Sequence, residues 1–402
     1  MRPFTSTISL DEARSRIAAA VRPIERTERI RLEDASGRVA ARDVSSTIDV
    51  PPFARSAMDG YAVIAADTAA ASSSMPVTLR VLDRIYTGAM SDAVLAHGAC
   101  AEIATGAPLP EGADAVVMVE ETTNAGEDRV GILAPATAGQ NIGRRGADIA
   151  AGDAVVAAGD LLTPGRIGAL AAVGHAGVDV FAQPRIAILS TGNEVVEPGT
   201  PLGRGRIFDV NRFTLGAIVA AHGGVPEPRR AAEDTLEALV KALDAAADAD
   251  LVVFSGGSSV GERDLIVDAI RSRGEMIFHG IAVKPGKPTA FARVRGTPFF
   301  GMPGNPTSCL SNAYILLVPF LRALARLPPY APRTVVVPLG RTIVSAAGRH
   351  QFYTVTLRDG VAFPAFKGSG DITSLSRADG YIEIPADQSR VEEGAMVEVT
   401  LF

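Results

Sequence analysis

Between Ile281 and Phe291 the chain reads IAVKPGKPTAF. Pro285-Gly286 predicts a type II turn, with proline fixing φ at the second position and glycine taking φ > 0 at the third. Lys284 and Lys287 then become the outer turn residues, with Cα atoms less than ~7 Å apart. Two ammonium groups so close repel each other, and an anion between them removes the conflict. Apolar residues on both sides, IAV and TAFARV, make the turn the end of a buried strand. A lone KPGK is more often a solvated turn with divergent lysines; the segments around it argue for a site.

Three other loops carry glycine and serine: LSTGNEVVEPG (Leu189 to Gly199), FSGGSSVGERD (Phe254 to Asp264) and GMPGNPTS (Gly301 to Ser308). Each follows an apolar run that reads as a strand, so all three are expected to open at one carboxyl rim. Such loops present backbone N–H groups and hydroxyls to an oxyanion or phosphate. The candidate binding residues are Ser190, Thr191 and Gly192 in the first loop, and Ser255, Gly256, Gly257, Ser259 and Gly261 in the second. In the third they are Pro303, Gly304, Asn305, Pro306 and Ser308. Asn305 and Pro306 read as N-cap and N1 of the next helix. The second loop is not a P-loop, because no Lys-Ser/Thr follows Gly261. One such loop could be only a tight turn; three beside a two-lysine turn point to a phosphate-bearing ligand.

Acidic residues share these loops. Glu194 and Asp264 beside lysines and amides suggest a hydrated Mg²⁺ bridging to phosphate, since Mg²⁺ takes one or two carboxylates plus substrate oxygens. Asp264 could equally be a first-turn helix acid favoured by the helix dipole. Asp234 reads as part of a capping box with Glu237, and Asp209 as the cap of the helix after IFDVN.

These loops need a framework. From Pro184 to about Leu327, apolar strands alternate with amphipathic helices. Strands are expected at 185–189, 251–254 and 298–301, and helices at 211–222, 234–243, 264–270 and 306–324. This alternation predicts a doubly wound, mainly parallel sheet, with ligands bound outside the carboxyl ends of its strands. Ser9-x-x-Glu12 opens a helix to Val21. Residues 29 to 158 read as β-rich, with AADTAAASSS (65–74) as a polar, mobile loop. Thr163 to Val173 reads as a short helix. After Leu327-Pro328-Pro329 the pattern is β again, a small barrel or sandwich.

Composition narrows the function. A chain of 402 residues, 47% apolar, supports two to four domains. Net charge of −6 with no long basic run argues against nucleic acid and anionic membrane as partners. The two cysteines, Cys100 and Cys309, are far apart in apolar contexts, which suits buried thiols in a reducing compartment. No signal-peptide h-region opens the chain, and Tyr314 to Leu327 is too short and too charged to span a bilayer. A cytoplasmic protein is expected. The five histidines lack zinc-site spacing.

Six segments together resemble the MoeA family, the molybdopterin molybdenumtransferases, which include the E domains of gephyrin and of plant Cnx proteins. They are PPFARSAMDGYAV (51–63), TGAPLPEGADAVVMVE (105–120), STGNEV, SGGSSVGERD, KPGKP and GMPGNPTS, in the family's order. The resemblance covers nearly the whole chain. It implies insertion of molybdate into adenylylated molybdopterin with Mg²⁺-dependent release of AMP. It implies a homodimer in which one subunit's N-terminal region completes the other's crevice, and an adenylyltransferase as the enzyme upstream. Four domains are expected: 1–48 with 149–183, 49–148, 184–328, and 329–402. By motif, Asp59, Thr105, Glu194, Asp264, Lys284 and Lys287 match the family's catalytic positions, Pro303 and Pro306 match binding positions, and Asp234 is a weaker match to a functional one. Asp59, Glu194 and Asp264 are the implied metal residues. Gly143, Ala147, Asn193 and Ser259 depart from the family pattern. An adenylyltransferase-like enzyme would lack the 51–63 segment, and a gephyrin-type scaffold would need further domains. A tungsten-inserting relative has the same sequence signals.

Overall fold

The structure is a computed structural model that describes residues 7–192, 194–229, 235–256, 265–345 and 348–402. The chain forms two compact units. One comprises Met1–Glu28, Gly37–Val39 and Val180–Phe402; the other comprises Arg29–Ser36 and Ala40–Asp179.

The first unit is built around a six-stranded sheet. Its order is Val225–Pro228, Arg185–Ser190, Leu251–Ser255, Thr297–Met302, Ala290–Val294, Gly274–His279. The first four are mutually parallel and the last two join antiparallel. Successive residues of the central strands face opposite cores, as expected of a sheet buried on both sides. Ile186, Ile188, Leu251, Val253 and Phe300 pack with the helices Asn211–Ala221 and Pro306–Asn312 and with the N-terminal helix Leu10–Ala19. Ala187, Leu189, Val252, Phe254 and Phe299 pack with Leu236–Ala245 and Leu265–Arg273. Burial of a large apolar side chain contributes about 1.5–3 kcal/mol, so these two layers hold the strand ends in place.

Helix boundaries follow local chemistry. Ser9 Oγ accepts the Glu12 N–H at 3.1 Å, while the Glu12 carboxylate turns to Arg16, so half of the expected capping box forms. The helix expected from Asp234 begins at Leu236, and Thr235 Oγ1 accepts the Ala238 N–H at 3.3 Å. Asp234 lies outside the described residues. The helix expected over 306–324 is α-helical to Asn312, widens into a π turn over Ala313–Leu317, and resumes as Val318–Leu324. Pro319 has no N–H to continue the α pattern, and a π turn absorbs the mismatch. This run is long and apolar enough to cross a membrane, but 72% of its apolar window is buried as the core helix of the unit.

The C-terminal part of this unit is a sheet in the order His350–Arg358, Gly380–Ile384, Met396–Leu401, Thr334–Pro338, with Val361–Pro364 also on His350–Arg358. Its outer partner is Val283–Lys284, which pairs parallel with His350 and Gln351. The lysine turn is therefore held by the C-terminal sheet.

The second unit contains a six-stranded sheet in the order Ala115–Met118, Gly60–Val63, Ala99–Ile103, Val77–Ile85, Arg129–Ile132, Thr122–Gly126. Gly60 is required there, since a Cβ would lie 1.9 Å from the Val117 carbonyl oxygen. The segment 65–74, expected as a mobile polar loop, is instead anchored. Ala65–Thr68 forms a 3₁₀ turn, Ala65, Thr68 and Ala71 are buried, and Thr68 Oγ1 both donates to Ala65 O and accepts the Ala136 N–H. Ala65 and Ala71 belong to the core, a use that low sequence complexity hides.

Candidate active site

A cavity of about 1100 Å³ in the first unit lies at the carboxyl ends of the parallel strands. Ser190, Thr191 and Glu194 from the first loop line it, with Ser255 and Gly256 from the second. Pro303, Gly304, Asn305, Pro306 and Ser308 come from the third, and Lys284 and Lys287 from the lysine turn. The structure thus gathers these predicted residues in one place. Gly192 precedes Glu194 in the same loop, with φ +136°, and the Glu194 carboxylate lies over its Cα. Asp264, Gly257, Ser259 and Gly261 lie outside the described residues.

The lysine turn differs from the expected geometry in one respect. The Lys284–Pro285 peptide is cis, whereas a type II turn starting at Lys284 assumes a trans bond. Gly286 has the expected positive φ, +102°. It also has no room for a side chain, because a Cβ would lie 2.3 Å from Asn312 Nδ2. That amide donates to the Gly286 carbonyl at 2.9 Å and to Thr289 Oγ1 at 2.5 Å. The core helix thereby clamps the turn from below.

The third loop is also clamped. Asn305 occupies the N-cap position but makes no side-chain capping bond; its amide donates to Ser369 Oγ at 3.0 Å. The Thr307 N–H donates to Ser369 O, and Thr307 Oγ1 to Asp371 O. The helix entrance is thus tied to the 366–372 connection that follows strand Val361–Pro364. Through that segment Lys367 and Ser369 join the lining, and Arg349 joins it beside His350, which pairs with Val283. Sequence reasoning missed these three. The run Lys367-Gly-Ser-Gly carried a signal, a cation in a glycine-serine loop; Arg349 carried none.

Asp209 does more than cap. It is 7% exposed, accepts the Ser190 hydroxyl at 2.7 Å and the Arg212 N–H at 3.1 Å, and has the Arg212 guanidinium within 3.9 Å. Asn211 was also missed. Its amide donates to Ser255 Oγ and to Gly304 O, both at 2.7 Å, joining the second and third loops. Cys309 lies 3.9 Å from Ser255 Oγ and is fully buried, and burial pushes its thiol pKa up to about 12. Cys100 is likewise buried and pushed up to about 12. Both stay neutral thiols, as their apolar contexts suggest.

The second unit holds Asp59 and Thr105. The Asp59 carboxylate accepts the Thr105 N–H at 2.7 Å. That bond, with one from the Thr105 side chain, holds its pKa below the ordinary carboxylate value. A local Asx turn, the simple reading of Asp-Gly, would use a partner two residues on; the actual partner is 46 residues downstream. Thr87 Oγ1 donates to Thr105 O at 3.1 Å and steadies the same loop.

Among the described residues no three His, Cys, Asp or Glu side chains cluster as a closed metal site. The oxygen donors on the cavity wall, the Glu194 carboxylate with nearby hydroxyls, suit a hard cation completed by substrate oxygens and water.

Three family models match the chain in succession. They are the MoeA N-terminal region (domain I and II) over residues 8–174, a probable molybdopterin binding domain over 187–323, and the MoeA C-terminal region (domain IV) over 336–402. A curated relative from Mycobacterium tuberculosis, molybdopterin molybdenumtransferase 2, is 37% identical over 94% of this chain and 95% of its own. The molybdopterin molybdenumtransferase of Haemophilus influenzae is 32% identical over 98% of both. The crystal structure of the molybdopterin biosynthesis MoeA protein from Pyrococcus horikoshii superposes with a TM-score of 0.86 at 39% identity, covering 98% of this chain and 99% of that one. By sequence along nearly its whole length, and by fold, the chain belongs to the MoeA family.

Proposed function

We propose that the chain is a molybdopterin molybdenumtransferase of molybdenum cofactor biosynthesis. It transfers molybdate into adenylylated molybdopterin and releases AMP. The observation that carries this reading is the convergence of three strand-end loops and the Lys284–Lys287 turn on one cavity of about 1100 Å³. Relatives named molybdopterin molybdenumtransferase match 94% and 98% of the chain.

The chemistry follows from the lining. Lys284 and Lys287 bind phosphate oxygens by charge-assisted hydrogen bonds. Arg349 and Lys367 add cationic charge for molybdate, itself a dianion. Backbone and hydroxyl groups at 303–308 orient the phosphates. Cleavage at phosphorus develops charge on the leaving oxygen, and the fixed lysines stabilise it there. Mg²⁺, when bound by Glu194 and Asp264, would neutralise phosphate charge and polarise its oxygens. The pterin's own sulfurs hold the molybdenum, so no clustered cysteine is needed.

The same reading includes a cytoplasmic homodimer, with Asp59 of one subunit completing the cavity of the other. It also includes the four-part division at 48, 148, 183 and 328, and supply of substrate by an adenylyltransferase. Incubation with adenylylated molybdopterin, molybdate and Mg²⁺, with AMP measured, tests the reaction. Absence of molybdate-dependent AMP release would refute it.

A further inference from the structure

Behind the lysine turn lie two fully buried polar side chains, Thr289 and Asn312. Thr289 Oγ1 donates to the Gly286 carbonyl at 2.9 Å. Asn312 Nδ2 donates to the same carbonyl at 2.9 Å and to Thr289 Oγ1 at 2.5 Å. A carbonyl can only accept, so the nitrogen of the Asn312 amide must face the turn. Its Oδ1 then has no hydrogen-bond partner among the described residues. A buried amide oxygen left unpaired costs free energy and calls for a reason. Thr289 already gives the Gly286 carbonyl one donor, so satisfying the backbone does not account for Asn312.

The peptide these two side chains hold is one that can turn over. Gly286 has φ +102°, and glycine tolerates either sign of φ, so the Gly286–Lys287 peptide is free to flip. Lys284, Gly286 and Lys287 line the cavity, while the Gly286 carbonyl points to the buried side. In a flipped peptide the negative end of a dipole of about 3.5 D would turn toward the cavity and oppose an anion there. We propose that Asn312 is a positioning residue for phosphate. With Thr289 it locks the Gly286 carbonyl inward and keeps the Lys284–Lys287 turn receptive to an anion. Its place on the helix adds a second constraint. Pro306 and Ser308 open that helix at the cavity, and Asn312 is its last α-helical residue, about 9 Å beyond Pro306. A π turn begins at Ala313, directly after it, and such turns recur at functional sites. One helix thus sets the third loop and the lysine turn at a fixed spacing. The inference rests on the reading of that turn as a phosphate site, and it assigns the turn's orientation to a residue buried behind it.

Pyrophosphate, standing in for the phosphoanhydride of the adenylylated pterin, is titrated by calorimetry against the full chain in EDTA. Asn312→Ala and Thr289→Val should each weaken binding about tenfold. Thr289→Ser, which keeps the hydroxyl, should bind like wild type. Thr289→Val keeps the side chain's shape and reports on the lock even where Asn312→Ala does not fold. The discriminating readout is coupling. In a Lys284→Ala/Lys287→Ala chain the turn holds no cation, and adding Asn312→Ala should weaken the residual binding by no more than about twofold. A merely structural residue would lower Tm and either leave affinity alone or weaken it equally in both backgrounds. Where no binding remains without the lysines, all the affinity lies at the turn, and the contrast between Thr289→Val and Thr289→Ser decides. Wild-type affinity in Asn312→Ala and Thr289→Val, equal losses with and without the lysines, or Thr289→Ser as weak as Thr289→Val overturns the positioning role. Affinity unchanged by removing both lysines, or no binding by wild type, instead rejects the phosphate reading of the turn, and the inference falls with it.

Discussion

At the scale of single residues, the site depends on charges held where they would otherwise repel. Lys284 and Lys287 are half-buried in a turn whose backbone is clamped by Asn312. Replacing either by Ala should weaken binding of the phosphate-bearing pterin by roughly 1.5–3 kcal/mol, the worth of a charge-assisted hydrogen bond. Isothermal titration of both single variants and the double variant checks this, and unaltered affinity in all three would sink it. Glu194 carries a different expectation. If it organises Mg²⁺, Glu194→Ala should raise the Mg²⁺ concentration needed for half-maximal AMP release, with the maximum recovered at high metal. A lowered maximum with an unchanged Mg²⁺ midpoint would assign Glu194 another role.

At the scale of elements, the parallel strands hold the loops, and a few ion pairs hold the strands' other ends. Arg26 grips Asp250 with both terminal nitrogens, at 2.7 and 2.8 Å, and the Arg185 N–H donates to the same carboxylate at 2.7 Å. Burial alone would raise the Asp250 pKa; Arg26 and Arg185 outweigh it and hold the pKa below the ordinary value. The sign follows. The stabilisation is complete above the pKa of an unfolded Asp and is lost as pH falls through the lower, folded pKa. Asp250→Asn should therefore cost about 2 kcal/mol at pH 7 and remove part of the acid-induced fall in Tm. Parallel Tm–pH curves for wild type and variant would show that the carboxylate contributes nothing through ionisation.

At the scale of the whole molecule, the candidate catalytic residues divide between two units. Lys284, Lys287 and Glu194 belong to one, and Asp59 and Thr105 to the other. The proposed homodimer with shared sites makes a specific prediction. Asp59→Ala and Lys287→Ala should each be nearly inactive as homodimers. After mixing and re-equilibration, activity should partly return, because one cavity of each heterodimer has both residues intact. Native mass spectrometry reports whether heterodimers form. If they do and the mixture stays inactive, Asp59 does not act across subunits.

Much of this protein was legible before folding, for reasons that can be named. Periods of two and 3.6 and a few punctuating prolines and glycines marked the alternating strands and helices. A parallel sheet places strand-end loops at one rim, so Ser190, Ser255, Pro303 and the lysine turn could be grouped without coordinates. Local signals could not reach further. The cis bond before Pro285, the clamp from Asn312 and the pairing of Val283–Lys284 with His350 and Gln351 depend on segments brought together only by packing. Asp209 and Asn211 looked like helix-start residues because their distant partners, Ser190, Ser255 and Gly304, are invisible to periodicity. Lys367 reaches the cavity because the third loop binds Ser369 and Asp371, 64 residues on, and Arg349 because His350 pairs with Val283. Sequence determined the framework and the residues that its strand ends must present. Tertiary packing decided which charges and acceptors face the same space, because hydrogen bonds between remote segments have no repeat in the sequence to announce them.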